Sequence, residues 1–228
     1  MKLAQGDTLL VATRNKGKTA EFRAAFAALG VKVADLTEFE GGRDIPDIVE
    51  DGDTFEANAA IKARAVALAT GLPALADDSG LCVDALGGAP GVYSARYAGE
   101  GATDADNNAK LIRELRAAGA SVPAALADGA TDALSAARFV SCLVLYKPDG
   151  DTLSAEGAVE GIVTGAPRGS GGFGYDPLFW LPAHGRSMAE LSVGEKTRSA
   201  TAARRWRSCW SSSEGQGRIA DRAEGSLG

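Results

Sequence analysis

Apolar residues recur along the chain with two periods, and the places where one gives way to the other mark its elements. Leu9-Leu10-Val11-Ala12 is the short apolar run of a buried strand, and from Lys18 to Leu29 the apolar positions Phe22, Phe26 and Leu29 fall at helical spacing. Gly30 ends that helix as a C-terminal glycine does. Val31 to Leu36 predicts a second strand. Gly41 to Asp53 is a Gly- and Asp-rich loop, after which Thr54 caps a long helix through about Ala69, ended by Gly71. Pro73-Ala74-Leu75-Ala76 predicts a third short strand that stops at Asp77-Asp78-Ser79-Gly80. Thr103 to Ala118 reads as a helix and the Ala-rich stretch Ala120 to Ala136 as a surface loop. Ala137 to Tyr146 and Thr152 to Val163 are two strands joined at Pro148-Asp149-Gly150. No internal repeat is visible. The order predicts an α/β fold with a mixed, partly antiparallel sheet.

Composition narrows the function classes. With 228 residues, 45% of them apolar and 24% charged, the chain has the balance of an ordinary soluble domain. Nowhere do about eighteen apolar residues run uninterrupted, which argues against a membrane span or a secretory leader. Cys82, Cys142 and Cys209 are odd in number and have no CxxC spacing, so reduced cytosolic thiols are expected rather than zinc or disulfides. A net charge of −6 argues against a nucleic-acid-binding surface. An anionic substrate must then be held by local positive groups or by a metal ion.

Four clusters carry candidate chemistry. Thr13-Arg14-Asn15-Lys16-Gly17-Lys18 joins the first strand to the first helix, where a helix N-terminus and three cations favour a phosphate; a solvated basic turn has the same composition. Gly17-Lys18-Thr19 ends like a P-loop and Leu75-Ala76-Asp77-Asp78 like the acidic strand that supports magnesium there, yet Ala12 stands where that pattern requires Gly. Asp77-Asp78 places two repelling carboxylates side by side, an arrangement Mg²⁺ makes favourable, with Glu50 a third candidate ligand; an Asp-Ser-Gly turn bonded to its own backbone is the alternative. One carboxylate then orients or deprotonates an attacking water. Gly169 to Pro177 is Gly-rich, with Phe173 or Tyr175 as a stacking face and Asp176 as an acceptor, or else with both aromatics in the core. Lys62 and Lys196, isolated lysines, form the fourth set.

Read together, Thr13 to Lys18, Glu50, Lys62, Asp77 to Gly80, Gly87 to Arg96 and Gly171 to Pro177 resemble the inosine triphosphate pyrophosphatase family, from Leu9 to Lys196 in consistent order. The resemblance implies an elongated α/β protein with two lobes around a central cleft, a homodimer in the cytosol, hydrolysing ITP, dITP and XTP to monophosphate and pyrophosphate with Mg²⁺. It implies Asp78 as catalytic base and metal ligand, with Asp77 and Glu50 as further ligands. Thr13, Arg14, Asn15, Lys16, Gly17, Lys18, Lys62 and Ser79 would hold the triphosphate. Phe173, Gly174, Tyr175, Asp176 and Lys196 would hold the nucleoside end. The other readings are a P-loop-like kinase or ATPase and a catalytically impaired nucleotide-binding protein.

The chain departs from the family after Lys196. The family expects Ser-His-Arg, which contacts the base, and then an amphipathic helix, but Ala200, Thr201 and Ala202 occupy those positions. The single histidine, His184, lies upstream in a loop. From Thr197 onward there are six Arg, no Lys and three acidic residues, a local charge of +3 that leaves −9 for the rest. This divides the chain into a catalytic domain, 1–196, and an aberrant, poorly ordered tail, 197–228. A GC-rich gene read out of frame has this composition, so a frameshift close to codon 197 is expected, with real divergence the alternative.

Overall fold

Three buried apolar residues in succession, Leu9, Leu10 and Val11, make strand β1 (Thr8–Val11) an inner thread of the fold. The computed structural model describes residues 3, 5–27, 30–123, 127, 129–192 and 195. After β1 comes helix α1 (Lys16–Phe26), whose start is set by Asn15: its Oδ1 accepts from the N–H groups of Gly17 and Lys18. The cap starts the helix two residues before the apolar period that predicts it. Strand β2 (Lys32–Asp35) follows. Helix α2 (Phe55–Thr70) opens on Thr54, whose hydroxyl accepts from Ala57 N–H, and closes on Gly71, at φ +69° with its N–H on the Ala67 carbonyl. Both ends lie where the sequence puts them.

The remaining elements are β3 (Ala74–Val83), α3 (Asp104–Ala117), β4 (Ala133–Tyr146), β5 (Thr152–Thr164), β6 (Phe179–Leu181) and β7 (Arg186–Ser187). Among the described residues the strands form one seven-stranded sheet in the order β2-β1-β3-β4-β5-β6-β7. β1 is parallel to both its neighbours and the other pairings are antiparallel. The sheet is therefore mixed and flanked by helices, as the order of elements predicts. β4 has 14 residues, a length of about 45 Å at a rise of about 3.3 Å each.

Three expectations are corrected. The third strand does not stop at Ala76. It runs to Val83 and carries Asp77 to Gly80 inside it, because β4 pairs with it residue by residue from Ala74–Tyr146 to Val83–Ala137. Cross-strand pairing here overrides the low strand propensity of Asp and Gly. β4 begins at Ala133, so the expected loop gives up its last four residues to the sheet. The short strands β6 and β7 went unseen, since three and two residues are too few to show a period.

Side chains alternate along β3, so its odd and even positions face opposite sides. Leu75 packs with Phe26 of α1 and with Leu9, Val11 and Leu143. Leu81 and Val83, on the same face, pack with Leu111 and Leu115 of α3. The other face lies under α2, where Ala76 meets Phe55, Ala59 and Ala63. Complete burial of a Leu or Phe contributes about 1.5–3 kcal/mol, so these clusters hold the helices to the sheet. Between the two odd-face clusters runs a row of small and polar residues, Ser79, Ser141 and Gly157, paired across β3, β4 and β5.

Candidate active site

β1 is the point at which the order of strands reverses, with β2 on one side and β3 on the other. Ligands of open α/β sheets bind outside the carboxyl ends of strands at such a point. β1 pairs with β3 only at Leu10–Ala74 and Val11–Leu75. Past Val11 the chain leaves the sheet as the turn Thr13 to Lys18, which exposes the edge of β3 at Asp77 and Asp78.

Those two carboxylates point to opposite faces. Asp77 meets α1: Lys18 Nζ lies 2.7 Å from Asp77 Oδ2. Asp78 meets α2: Asn58 Nδ2 donates to Asp78 Oδ2 at 3.1 Å and Lys62 Nζ lies 3.9 Å from Asp78 Oδ1. Lys62 also donates to Glu50 Oε2 at 2.9 Å, and Ser79 N–H donates to Asp78 Oδ1 at 3.0 Å. Asp77 is thus not brought to Glu50 and Asp78, because neighbouring strand residues cannot face one side together. Lys62 and Asp78 are each 15% exposed, so their attraction is screened less than that of a surface pair. Burial pushes the Asp78 carboxyl above the usual carboxylate range; Lys62 and the Asn58 hydrogen bond pull it down, Glu50 pushes it up again, and burial prevails.

The rest of the basic turn is held partly by its own backbone and partly by the loop around Asp47. Arg14 is bonded to Asp47 and to the Ile45 carbonyl, both at 2.6 Å. Thr13 Oγ1 accepts from Asn15 N–H, and Asn15 caps α1. Gly17 and Lys18 lie in the first turn of α1, with Lys16 exposed at its start. The P-loop alternative is not favoured. Thr19, which would reach a metal in that motif, is 1% exposed, and its hydroxyl lies 2.8 Å from Asp35 Oδ2 and 3.1 Å from the Asn15 carbonyl, with its one hydrogen committed to these acceptors.

In the Gly-rich loop the structure separates the two aromatics. Phe173 is 76% exposed, whereas Tyr175 is 4% exposed and donates its hydroxyl to the Ser94 carbonyl. Of the two aromatics only Phe173 presents its ring to solvent, and Tyr175 is core. Asp176 is 5% exposed and accepts from Phe173 N–H, so it closes the loop on itself rather than facing outward. Ser79 is exposed on the Asp77 side of β3. His184 is exposed. Lys196 and the whole of 197–228 lie outside the described residues.

Asn58 is the residue that motif reading missed. It is 1% exposed, accepts from Gly52 N–H and donates to Asp78, tying the acidic loop to β3. Its signal was present: it lies four residues before Lys62, on the same face of an Ala-rich helix.

A basic turn at the carboxyl end of β1, beside two carboxylates that share the half-buried Lys62, defines the class as an α/β fold with a charged site at its strand ends. The chain belongs to the Ham1 family, whose model matches residues 9–206. A relative from Streptococcus thermophilus (strain CNRZ 1066), named dITP/XTP pyrophosphatase, is 48% identical over 191 residues, 84% of this chain; the chain spans about half of that relative's length, 55%. A relative of the same name from Geobacillus kaustophilus (strain HTA426) is 48% identical over 188 residues, 82% of this chain and 85% of its own. The solved structure of a HAM1 protein from Coxiella burnetii superposes with a TM-score of 0.77 at 39% identity, covering 91% of this chain and 99% of that one.

Proposed function

We propose that this chain hydrolyses non-standard purine nucleoside triphosphates, ITP, dITP and XTP, to the monophosphate and pyrophosphate. The observation that carries the reading is the placement of Asp78 on β3 beside the end of β1, held by Asn58, Lys62 and the Ser79 amide. A carboxylate fixed in this way can take a proton from a water set against it. The names of the two relatives supply the substrate class.

The donor set fits a hard divalent cation. Glu50 and Asp78 set two carboxylates against one ammonium, Lys62, and Mg²⁺ is commonly held by one or two carboxylates with the substrate's own phosphates completing its shell. Glu50 and Asp78 would hold the metal. When bound, Mg²⁺ supplies neutralisation of the charge on the phosphate oxygens. Asp78 takes the proton of the attacking water as pyrophosphate leaves. Lys16, Lys18 and the start of α1 hold the triphosphate, with Asp77 keeping Lys18 oriented, and Phe173 stacks on the purine. Positioning and charge neutralisation supply most of the acceleration in such displacements.

The central cleft that the family resemblance carries would open where β1 ends, at the edge of β3 beside Asp77 and Asp78. The family resemblance also carries a cytosolic homodimer, which sedimentation equilibrium tests by mass; among the described residues no helix is long and apolar enough to cross a membrane. The test of the reaction is incubation with ITP and Mg²⁺ followed by separation of products. IMP with pyrophosphate is expected; IDP with phosphate, or no turnover, overturns the proposal.

A further inference from the structure

The exposed ring of Phe173 sits on a loop that is tied down on every side. Gly174, at φ +58°, makes the bend, and α3 holds both of its backbone groups. Gly174 N–H donates to Asp104 Oδ2 at 2.7 Å, and Asn108 Nδ2 donates to the Gly174 carbonyl at 3.0 Å. Asp104 and Asn108 are four residues apart on the helix and so share a face. On the far side Tyr175 is anchored to the Ser94 carbonyl at 2.9 Å, and Phe173 N–H closes on Asp176.

A loop with this many anchors has no need of an exposed aromatic for its own stability, since Phe173 at 76% exposure buries little. Rigidity around an exposed ring is instead what stacking requires, because a preordered surface loses less conformational entropy when a flat ligand docks. Asn108 points the same way. Its Oδ1 is buried without a hydrogen-bond partner among the described residues, so the hydrogen bond that fixes this amide is the one Nδ2 makes to the Gly174 carbonyl.

We propose that Asp104 and Asn108 are positioning residues for nucleoside binding, holding Phe173 through Gly174 where a purine stacks. This rests on the nucleoside triphosphate reading above. The mechanism predicts an effect confined to the base end of the substrate. Asp104→Ala and Asn108→Ala should each raise KM for ITP by about tenfold, the scale of one lost hydrogen bond, with kcat unchanged. Competitive inhibition by inorganic tripolyphosphate, which has phosphates and no base, should be unaltered. Asp104→Asn, which keeps an acceptor, should retain most of the affinity. In a Phe173→Ala background the alanine substitutions should cost nothing further, because coupled residues are not additive.

An unchanged KM for ITP in both alanine variants overturns the proposal. So does a loss that persists undiminished without Phe173, or one in which kcat and tripolyphosphate inhibition fall together, as general unfolding would give. If Phe173→Ala itself leaves KM for ITP at the parent value, the assignment of the nucleoside end fails and this inference with it. If Phe173→Ala weakens ITP while the α3 variants do not, only this inference falls.

Discussion

At the scale of single residues, the number of partners each carboxylate has decides what it can do. Asp78 has one amide, one backbone N–H and a shared lysine, too few to offset its burial. Asp35 is the opposite case. Burial pushes it up as well, but the Thr37 and Thr19 hydroxyls and the N–H groups of Thr37 and Glu38 outweigh burial and hold it below the usual range. A carboxyl lowered in the folded state stabilises the fold above its unfolded pKa of about 4, and that contribution disappears as the pH falls through the lowered value. Through Thr19 it also ties α1 to β2 beneath the basic turn. The urea midpoint should therefore drop between pH 6 and pH 3, and drop less in Asp35→Asn; equal drops in both proteins would remove Asp35 from the account.

At the scale of elements, close approach matters more than propensity. A Cβ on Gly80 would stand 2.5 Å from the Gly91 carbonyl oxygen, 2.5 Å from Ser94 Oγ and 2.9 Å from the Phe55 ring. The 3₁₀ turn Gly91–Arg96 lies against β3 because that side chain is missing, with Ser94 accepting from Leu81 N–H and donating to the Gly91 carbonyl. Gly80→Ala should cost about 1–3 kcal/mol, the usual cost of overpacking. In a chain of this size that lowers Tm by about 2–4 °C per kcal/mol, and a Tm within 1 °C of the parent (about 0.5 kcal/mol or less) would contradict the close packing. KM for ITP should rise with it, since Ser94 also anchors Tyr175. The caps of α2 were legible at this scale because Thr54 and Gly71 act within one turn of the helix. The continuation of β3 through Asp77 to Gly80 was not, since it depends on a partner strand about sixty residues away.

At the scale of the whole molecule, one continuous sheet carries the two apolar clusters on one face and α2 on the other, and the proposed chemistry gathers where β1 stops between them. The family resemblance implies Ser-His-Arg at the base end, at the positions that Ala200, Thr201 and Ala202 occupy without a charged or ring donor. On that reading a 6-carbonyl purine would lack a partner that otherwise distinguishes it, and buried hydrogen bonds are the strongest basis for such discrimination. The ratio of kcat/KM for ITP to that for GTP should be lower than in a family member carrying Ser-His-Arg, and an equal ratio would sink this expectation. Resequencing around codon 197 separates the two origins of the tail: a neighbouring frame without Ser-His-Arg and an amphipathic helix rules out the frameshift.

By itself the sequence determined what is local: the helix caps at Thr54 and Gly71, the mixed order of strands and helices, and the short motifs on which the family resemblance rests. These depend on residues a few positions apart. Only the tertiary structure decided that Asp77 and Asp78 serve different faces, that Asn58 holds Asp78, and that of two neighbouring aromatics Phe173 is presented while Tyr175 is buried. Each of those outcomes turns on which element packs against which side of a strand or loop, and that is set by pairing and burial across the whole sheet.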